Sequence, residues 1–146
     1  MSGQRSASTI ITFDWTSMKF TKHEETLFET RRYSACALLK GANGEKIVAI
    51  AGGNSAGMEG WNPDDGTQKV FSSDFPPLNG DNRTPKMLSV NGNSELIYYD
   101  TLRGDYIPDK GIWKFNLSNN SWTQIGEMFT SRDDFAVLPV SDVSCP

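Results

Sequence analysis

Short apolar runs, cut by clusters of Asn, Gly, Asp and Pro, fill most of the chain. That is the strand-and-turn pattern. In Ile112-Trp113-Lys114-Phe115-Asn116-Leu117 the polarity alternates. A strand there turns Ile112, Lys114 and Asn116 one way and Trp113, Phe115 and Leu117 the other. Lys46-Ile47-Val48-Ala49-Ile50-Ala51-Gly52 does not alternate and reads as a strand covered on both faces. Hairpin signals separate these runs at Asn43-Gly44, Asn91-Gly92 and Asn119-Asn120, because Asn and Gly accept the positive φ that tight turns need. Helical spacing is weak. In Thr21–Arg32 the apolar content is Leu27 and Phe28, so the stretch is expected to be a solvated loop or a single turn.

The strands recur. Arg32 precedes Tyr33-Ser34-Ala35-Cys36-Ala37-Leu38-Leu39, Arg83 precedes Thr84-Pro85-Lys86-Met87-Leu88, and Arg132 precedes Asp133-Asp134-Phe135-Ala136-Val137. The interval is about 50 residues, which fits one propeller blade of four strands. Trp15-Thr16 and Trp122-Thr123 lie two such intervals apart.

This order resembles the kelch repeat: Arg, a small apolar strand, a turn, an apolar strand ending in Gly-Gly, a variable loop, an aromatic strand, a turn and Trp. The first unit carries Gly52-Gly53 but has no tryptophan in Lys69–Leu78; the second keeps Trp113 and Trp122 but replaces the double glycine with Leu96–Gly104. The resemblance implies an all-β chain of kelch-type β-propeller blades, each a four-stranded antiparallel sheet, with an incomplete ring in one chain. The units are residues 10–18 (last strand of a preceding blade), 31–79, 83–128 and 132–140 (first strand of a following blade). Rings close with four to eight blades. The chain is therefore expected to be a piece of a larger propeller, or else to close a six-bladed ring as a homodimer.

Composition narrows the function. The chain has 146 residues, 37% of them hydrophobic, enough for one domain with a real core. A net charge of −4 with mixed signs gives no reason to expect nucleic acid. No apolar stretch is long enough for a membrane helix. The first residues, Met1–Thr9, lack a signal-peptide core. A cytoplasmic location is expected if this start is authentic, and an extracellular one if the chain comes from a longer secreted precursor. Cys36 lies in an apolar run and reads as a small buried side chain; Cys145 is close to the end. With His23 they make no zinc pattern.

Gly52, Gly53 and Gly57 raise the question of a phosphate loop. The fingerprint must open a helix, and Met58–Gly66 is full of turn formers. The glycines read instead as the end of a buried strand where a neighbouring backbone or aromatic packs close. Asp64-Asp65 and Asp133-Asp134 are adjacent pairs, which point apart in a strand and make poor acid–base partners. No catalytic, cofactor-binding or metal-binding residue is expected.

The expected function is a non-catalytic protein-binding scaffold that presents inter-strand loops. Arg31, Arg32, Arg83 and Arg132 mark blade starts. One reading makes them strand-end ties to carbonyls. The resemblance adds a second, in which arginines around a central channel meet acidic partner segments through paired hydrogen bonds. Trp61, Tyr106 and Met58 are placed in the long loops after each second strand, where aromatics serve as anchors or as contact residues. The alternative is scaffold within a secreted or cell-surface kelch propeller, or within a galactose-oxidase-like enzyme whose catalytic residues lie elsewhere.

Overall fold

The structure is a computed structural model. It describes residues 7–73, 75–76, 85–99 and 111–128. Strand β1 (Ala7–Asp14) and strand β2 (Lys19–Arg31) form an antiparallel hairpin. Strands β3 (Ala35–Lys40), β4 (Lys46–Ala51), β5 (Met58–Trp61) and β6 (Gln68–Ser72) form the first four-stranded sheet. Strands β7 (Lys86–Val90), β8 (Glu95–Tyr99), β9 (Gly111–Asn116) and β10 (Ser121–Glu127) form the second. Both sheets are antiparallel meanders in chain order, so the described fold is all-β. They fall inside the expected units 31–79 and 83–128.

The turns form where the sequence places positive φ. Gly44 (φ 80°) closes β3–β4, and Asn120 (φ 50°) closes β9–β10. Asn91, Gly92 and Asn93 are all left-handed in the single 3₁₀ turn between β7 and β8. In the β1–β2 turn, Asp14 accepts hydrogen bonds from the Thr16 amide (2.8 Å) and the Ser17 hydroxyl (2.6 Å). The Ser17 bond, then the Thr16 bond, hold this carboxyl below its ordinary value.

Alternation then builds the core. Opposite one another in the first sheet stand Leu39 with Ile47, Ala37 with Ala49, and Ala51 with Met58. This face meets Leu96, Tyr98 and Phe115 of the second sheet. Trp113, Leu117 and Trp122 pack around that cluster, and Phe71 stacks edge-on to Phe115 at 5.5 Å. The expected split of β9 holds: Phe115 is fully buried, and Trp113 and Leu117 lie on its side of the strand. The opposite face of the first sheet meets the hairpin through Glu59 and Trp61. β4 is thus covered on both faces, as its unbroken apolar run implies. β3 lies beside β7, and the Ser89 hydroxyl donates to the Leu38 carbonyl.

Two expectations need correction. Thr21–Arg32 is not a loop: all but its last residue lie in β2, whose side chains are mostly exposed. Pairing with β1 makes the strand, and its polar side chains gave no alternation to read. Cys36 is not buried but exposed. Its neighbours Ala35 and Leu39 take the core-facing positions of β3, which leaves Cys36 on the other face.

Gly52 (φ 69°) and Gly53 (φ 84°) mark the end of β4. A Cβ on Gly52 would collide with the Tyr98 hydroxyl, and one on Gly53 with the Arg32 carbonyl. An aromatic and a backbone do pack there. Gly44 has the same left-handed φ but open space around it. Gly53→Ala is therefore expected to lower unfolding free energy by about 2–3 kcal/mol and Gly44→Ala by about 1 kcal/mol, since both incur the backbone strain but only the first adds a clash. Urea unfolding of the two variants checks the difference; equal losses would remove the steric part of the argument.

Candidate functional site

Arg31 is the last residue of β2 and is 6% exposed. A buried guanidinium needs an anion and acceptors for its remaining N–H groups. Glu59, in the middle of β5 and 3% exposed, is the anion. Arg31 Nε donates to Glu59 Oε1 at 2.6 Å. Nη1 donates to the carbonyls of Gly52 (3.1 Å) and Ser55 (2.9 Å), and Nη2 to that of Ala56 (3.1 Å). The other Glu59 oxygen accepts the Phe28 amide at 2.7 Å. One ion pair thereby ties the hairpin, β5 and the loop between β4 and β5.

Arg32 plays a different part. Its amide donates to Asn54 Oδ1 at 2.6 Å, and its carbonyl accepts the Asn54 amide at 3.2 Å. Its guanidinium lies 5.8 Å from the Tyr33 ring centre, within cation–π range. Ser55 Oγ donates to the Thr30 carbonyl at 3.0 Å. The loop also closes on itself, the Gly52 amide donating to the Gly57 carbonyl (3.2 Å) and the Gly57 amide to the Pro76 carbonyl (2.7 Å). A phosphate cradle needs unspent amides at a helix start. Here the amides of Gly52, Asn54 and Gly57 are engaged and the chain continues into β5. Beside this latch lies a cleft of about 340 Å³, walled by Phe28, Arg31, Asn54, Glu59, Val70 and Ser73.

Trp61 is not in a loop. It ends β5, is 3% exposed, and meets the His23 ring edge-on at 4.8 Å. His23 Nε2 in turn lies 2.9 Å from the Thr12 hydroxyl. Met58 begins the same strand and is fully buried. Both were expected in a long loop because β5 is short and rich in small and polar residues. Arg83, Arg132 and Tyr106 lie outside the described residues. Of the six candidates, the structure brings Arg31 and Arg32 together at one corner and sets Trp61 at the far end of β5.

A second concave region lies among the turns β3–β4, β7–β8 and β9–β10. This groove, of about 630 Å³, is lined by Lys40, Glu45, Lys69, Glu95, Asn116 and Ser118 among others. Glu95 is its acidic centre. It pairs with Lys114 Nζ at 3.0 Å and accepts hydrogen bonds from the Asn91 and Asn116 side-chain amides. The Lys114 contact is the chief cause of a Glu95 carboxyl held below its ordinary 4.5; partial burial opposes it and the two amides add to it. Neither Glu59 nor Glu95 stands out in the sequence. The available signal is a lone Glu inside an apolar strand, Met58-Glu59-Gly60-Trp61 and Glu95-Leu96-Ile97-Tyr98, since such a carboxylate needs a paired cation.

Among the described residues no group of three His, Cys, Asp or Glu side chains could hold a metal ion. No helix among them is long and apolar enough to cross a membrane. No protein-family model matches the chain, and no curated protein matches it.

Arg31→Met is expected to destabilise the fold by about 3–5 kcal/mol, because it strands the Glu59 carboxylate. Arg31→Lys should restore little, since one ammonium cannot serve Glu59 and three carbonyls together. Thermal and urea unfolding measure both, and full rescue by Lys would show that charge alone suffices. The acid limb of stability carries a second test. A depressed carboxyl pKa means that the unfolded chain takes up the proton first as pH falls. Glu95 therefore contributes its stabilisation above pH 4.5, and this is lost as pH drops through its lower folded value. Lys114→Met should flatten that part of the stability–pH profile; an unchanged profile would remove Lys114 as the cause.

Proposed function

We propose that the chain is a segment of a kelch-type β-propeller that acts as a non-catalytic scaffold and binds a protein partner through its inter-strand turns. The succession of the sheets carries this reading. Two four-stranded antiparallel meanders follow one another, stack face to face, and lay their first strands, β3 and β7, side by side. That is the relation between neighbouring blades of a ring. The hairpin lies against the opposite face of the first sheet, where a preceding blade would stand.

The corner chemistry supports the same reading. Gly52-Gly53 and Arg31 serve a strand-end latch, and the Arg31–Glu59 charges are consumed by internal bonds. The turn-end groove differs in kind. Lys40, Lys69 and Glu45 give it charged walls, and turns that join strands are where partners are commonly bound. A protein partner binds at this end.

Cross-linking mass spectrometry with extract from the source cells tests the reading. A partner is expected to cross-link at Lys40 and Lys69, to rebind the chain when pure, and to lose affinity about tenfold or more with Lys40→Glu and Lys69→Glu combined. Turnover of a small-molecule substrate by the pure chain, or a partner that maps away from the turns, would sink it.

A further inference from the structure

The cleft beside the Arg31 latch has walls that are held in place. Strands β2, β5 and β6 each contribute to it. β2 and β6 are bridged at one end, where Gln68 Nε2 donates to the Thr26 carbonyl at 2.6 Å. The Arg31–Glu59 pair fixes the other end. Between them Phe28 and Val70 line the cleft, 58% and 53% exposed. Val70 reaches this position through a bulge. Met58 pairs with Ser72 and Glu59 with Val70, so Phe71 is an extra residue on β6. A bulge re-aims side chains: Phe71 turns to the core, and Val70 shares a face with Glu59. Two exposed apolar side chains therefore converge on a buried ion pair.

The guanidinium keeps one donor in reserve. Arginine carries five N–H groups. Among the described residues Glu59 takes the one on Nε, the carbonyls of Gly52 and Ser55 take both on Nη1, and that of Ala56 takes one on Nη2. The second Nη2–H remains, and Arg31 and Ala56 both line the cleft. A donor on a nearly buried charged group gains from an acceptor brought to it. Charge selects the kind of acceptor. Glu59 already balances Arg31 at 2.6 Å, and Glu29 adds another carboxylate to the wall. An anion there would lose its hydration and face Glu29. A cation would find both Glu59 oxygens bonded, Oε1 to Arg31 and Oε2 to the Phe28 amide. A neutral oxygen meets neither obstacle.

We propose that this cleft binds a small neutral molecule that carries a carbonyl or amide oxygen on a compact apolar body. The oxygen accepts the remaining Nη2–H of Arg31, and the body lies between Phe28 and Val70. Size points to a small molecule. The cleft measures about 340 Å³, near the low end of small-ligand sites, which span roughly 300–1,000 Å³. Its polar groups are few and fixed by the latch, while its flanking side chains are apolar, as in pre-formed ligand pockets.

The cleft shares no residue with the turn-end groove. Its ligand is bound without being transformed, and the site stands whether or not the turns bind a protein. Occupancy also acts on the fold. The oxygen completes the acceptors around the guanidinium that ties the hairpin to β5, so the bound ligand stabilises the folded chain by mass action.

NMR titration of the isotope-labelled full chain gives the test, with three probes of one shape: cyclohexanecarboxamide, cyclohexanecarboxylate and cyclohexylmethylammonium. The carboxamide is expected to shift the Phe28, Ala56 and Val70 amides and the Arg31 side-chain signals. It should bind about fivefold or more tighter than either charged probe, the effect of one added hydrogen bond, and should raise Tm. Substituting Arg31 would undermine the fold, so the probe series reads its role instead. Val70→Trp, at an exposed position, should fill the cleft and abolish the shifts while the unliganded chain unfolds much as before; Phe28→Ser should weaken binding about fivefold. No shift with any probe at high millimolar concentration overturns the proposal. So does equal binding of all three, tighter binding of a charged probe, or carboxamide binding indifferent to both variants.

Discussion

A guanidinium buried without an anion would cost several kcal/mol, and so would a carboxylate without a cation. Arg31 and Glu59 relieve each other at 2.6 Å, but only if β2 ends where it does and β5 runs where it does. The remaining N–H groups add a further condition: the carbonyls of Gly52, Ser55 and Ala56 must turn inward together. The left-handed glycines Gly52, Gly53 and Gly57 bound the loop that turns them so. The ion pair adds little net stability against an apolar alternative. Its effect is to make every other arrangement of hairpin and loop expensive.

From that corner the stacking order follows. Glu59 and Trp61 occupy one face of β5, and Met58 and Gly60 the other, so pinning Glu59 to the hairpin commits Met58 to the second sheet. Gly60 fits the same logic, because a Cβ there would press on Ile47 and Phe71 at 2.6 Å. The first sheet is thus held between two neighbours of different character. Charge and a histidine–tryptophan contact join it to the hairpin; an aliphatic and aromatic core joins it to the second sheet.

The strands of both sheets other than β5 were legible because their signals are local. The hairpin turns at Asn43-Gly44, Asn91-Gly92 and Asn119-Asn120 and the alternation of Ile112–Leu117 each fit within a few residues. The Gly52-Gly53 reading held for the same reason: a double glycine ending an apolar run has few other uses. β2 was not legible, since its strand character comes from β1 and its side chains are mostly solvated. Cys36 was misjudged because an apolar run does not say which of its residues face the core. The site was legible in half. Arg31 could be singled out at a strand end, but Glu59, 28 residues away, becomes its partner only through a register that no local pattern encodes.

The two ends of the sheets divide the chemistry between them. At the Arg31 end, charged groups and loop amides are bonded inward, so the surface there is largely fixed. At the turn end, Glu95 is held by Lys114 and two amides, while Lys40 and Lys69 line the groove around it. A fixed carboxylate at the centre with longer, less constrained lysines around it suits recognition: the centre sets position, and the rim adapts to the partner's charge. Exposed aromatic surface is densest at the β1–β2 tip, where Phe13, Trp15 and Phe20 gather, while Phe28 and Tyr33 add some at the Arg31 end. The groove and the hairpin tip share no residues, so the charged surface and this aromatic one stand apart.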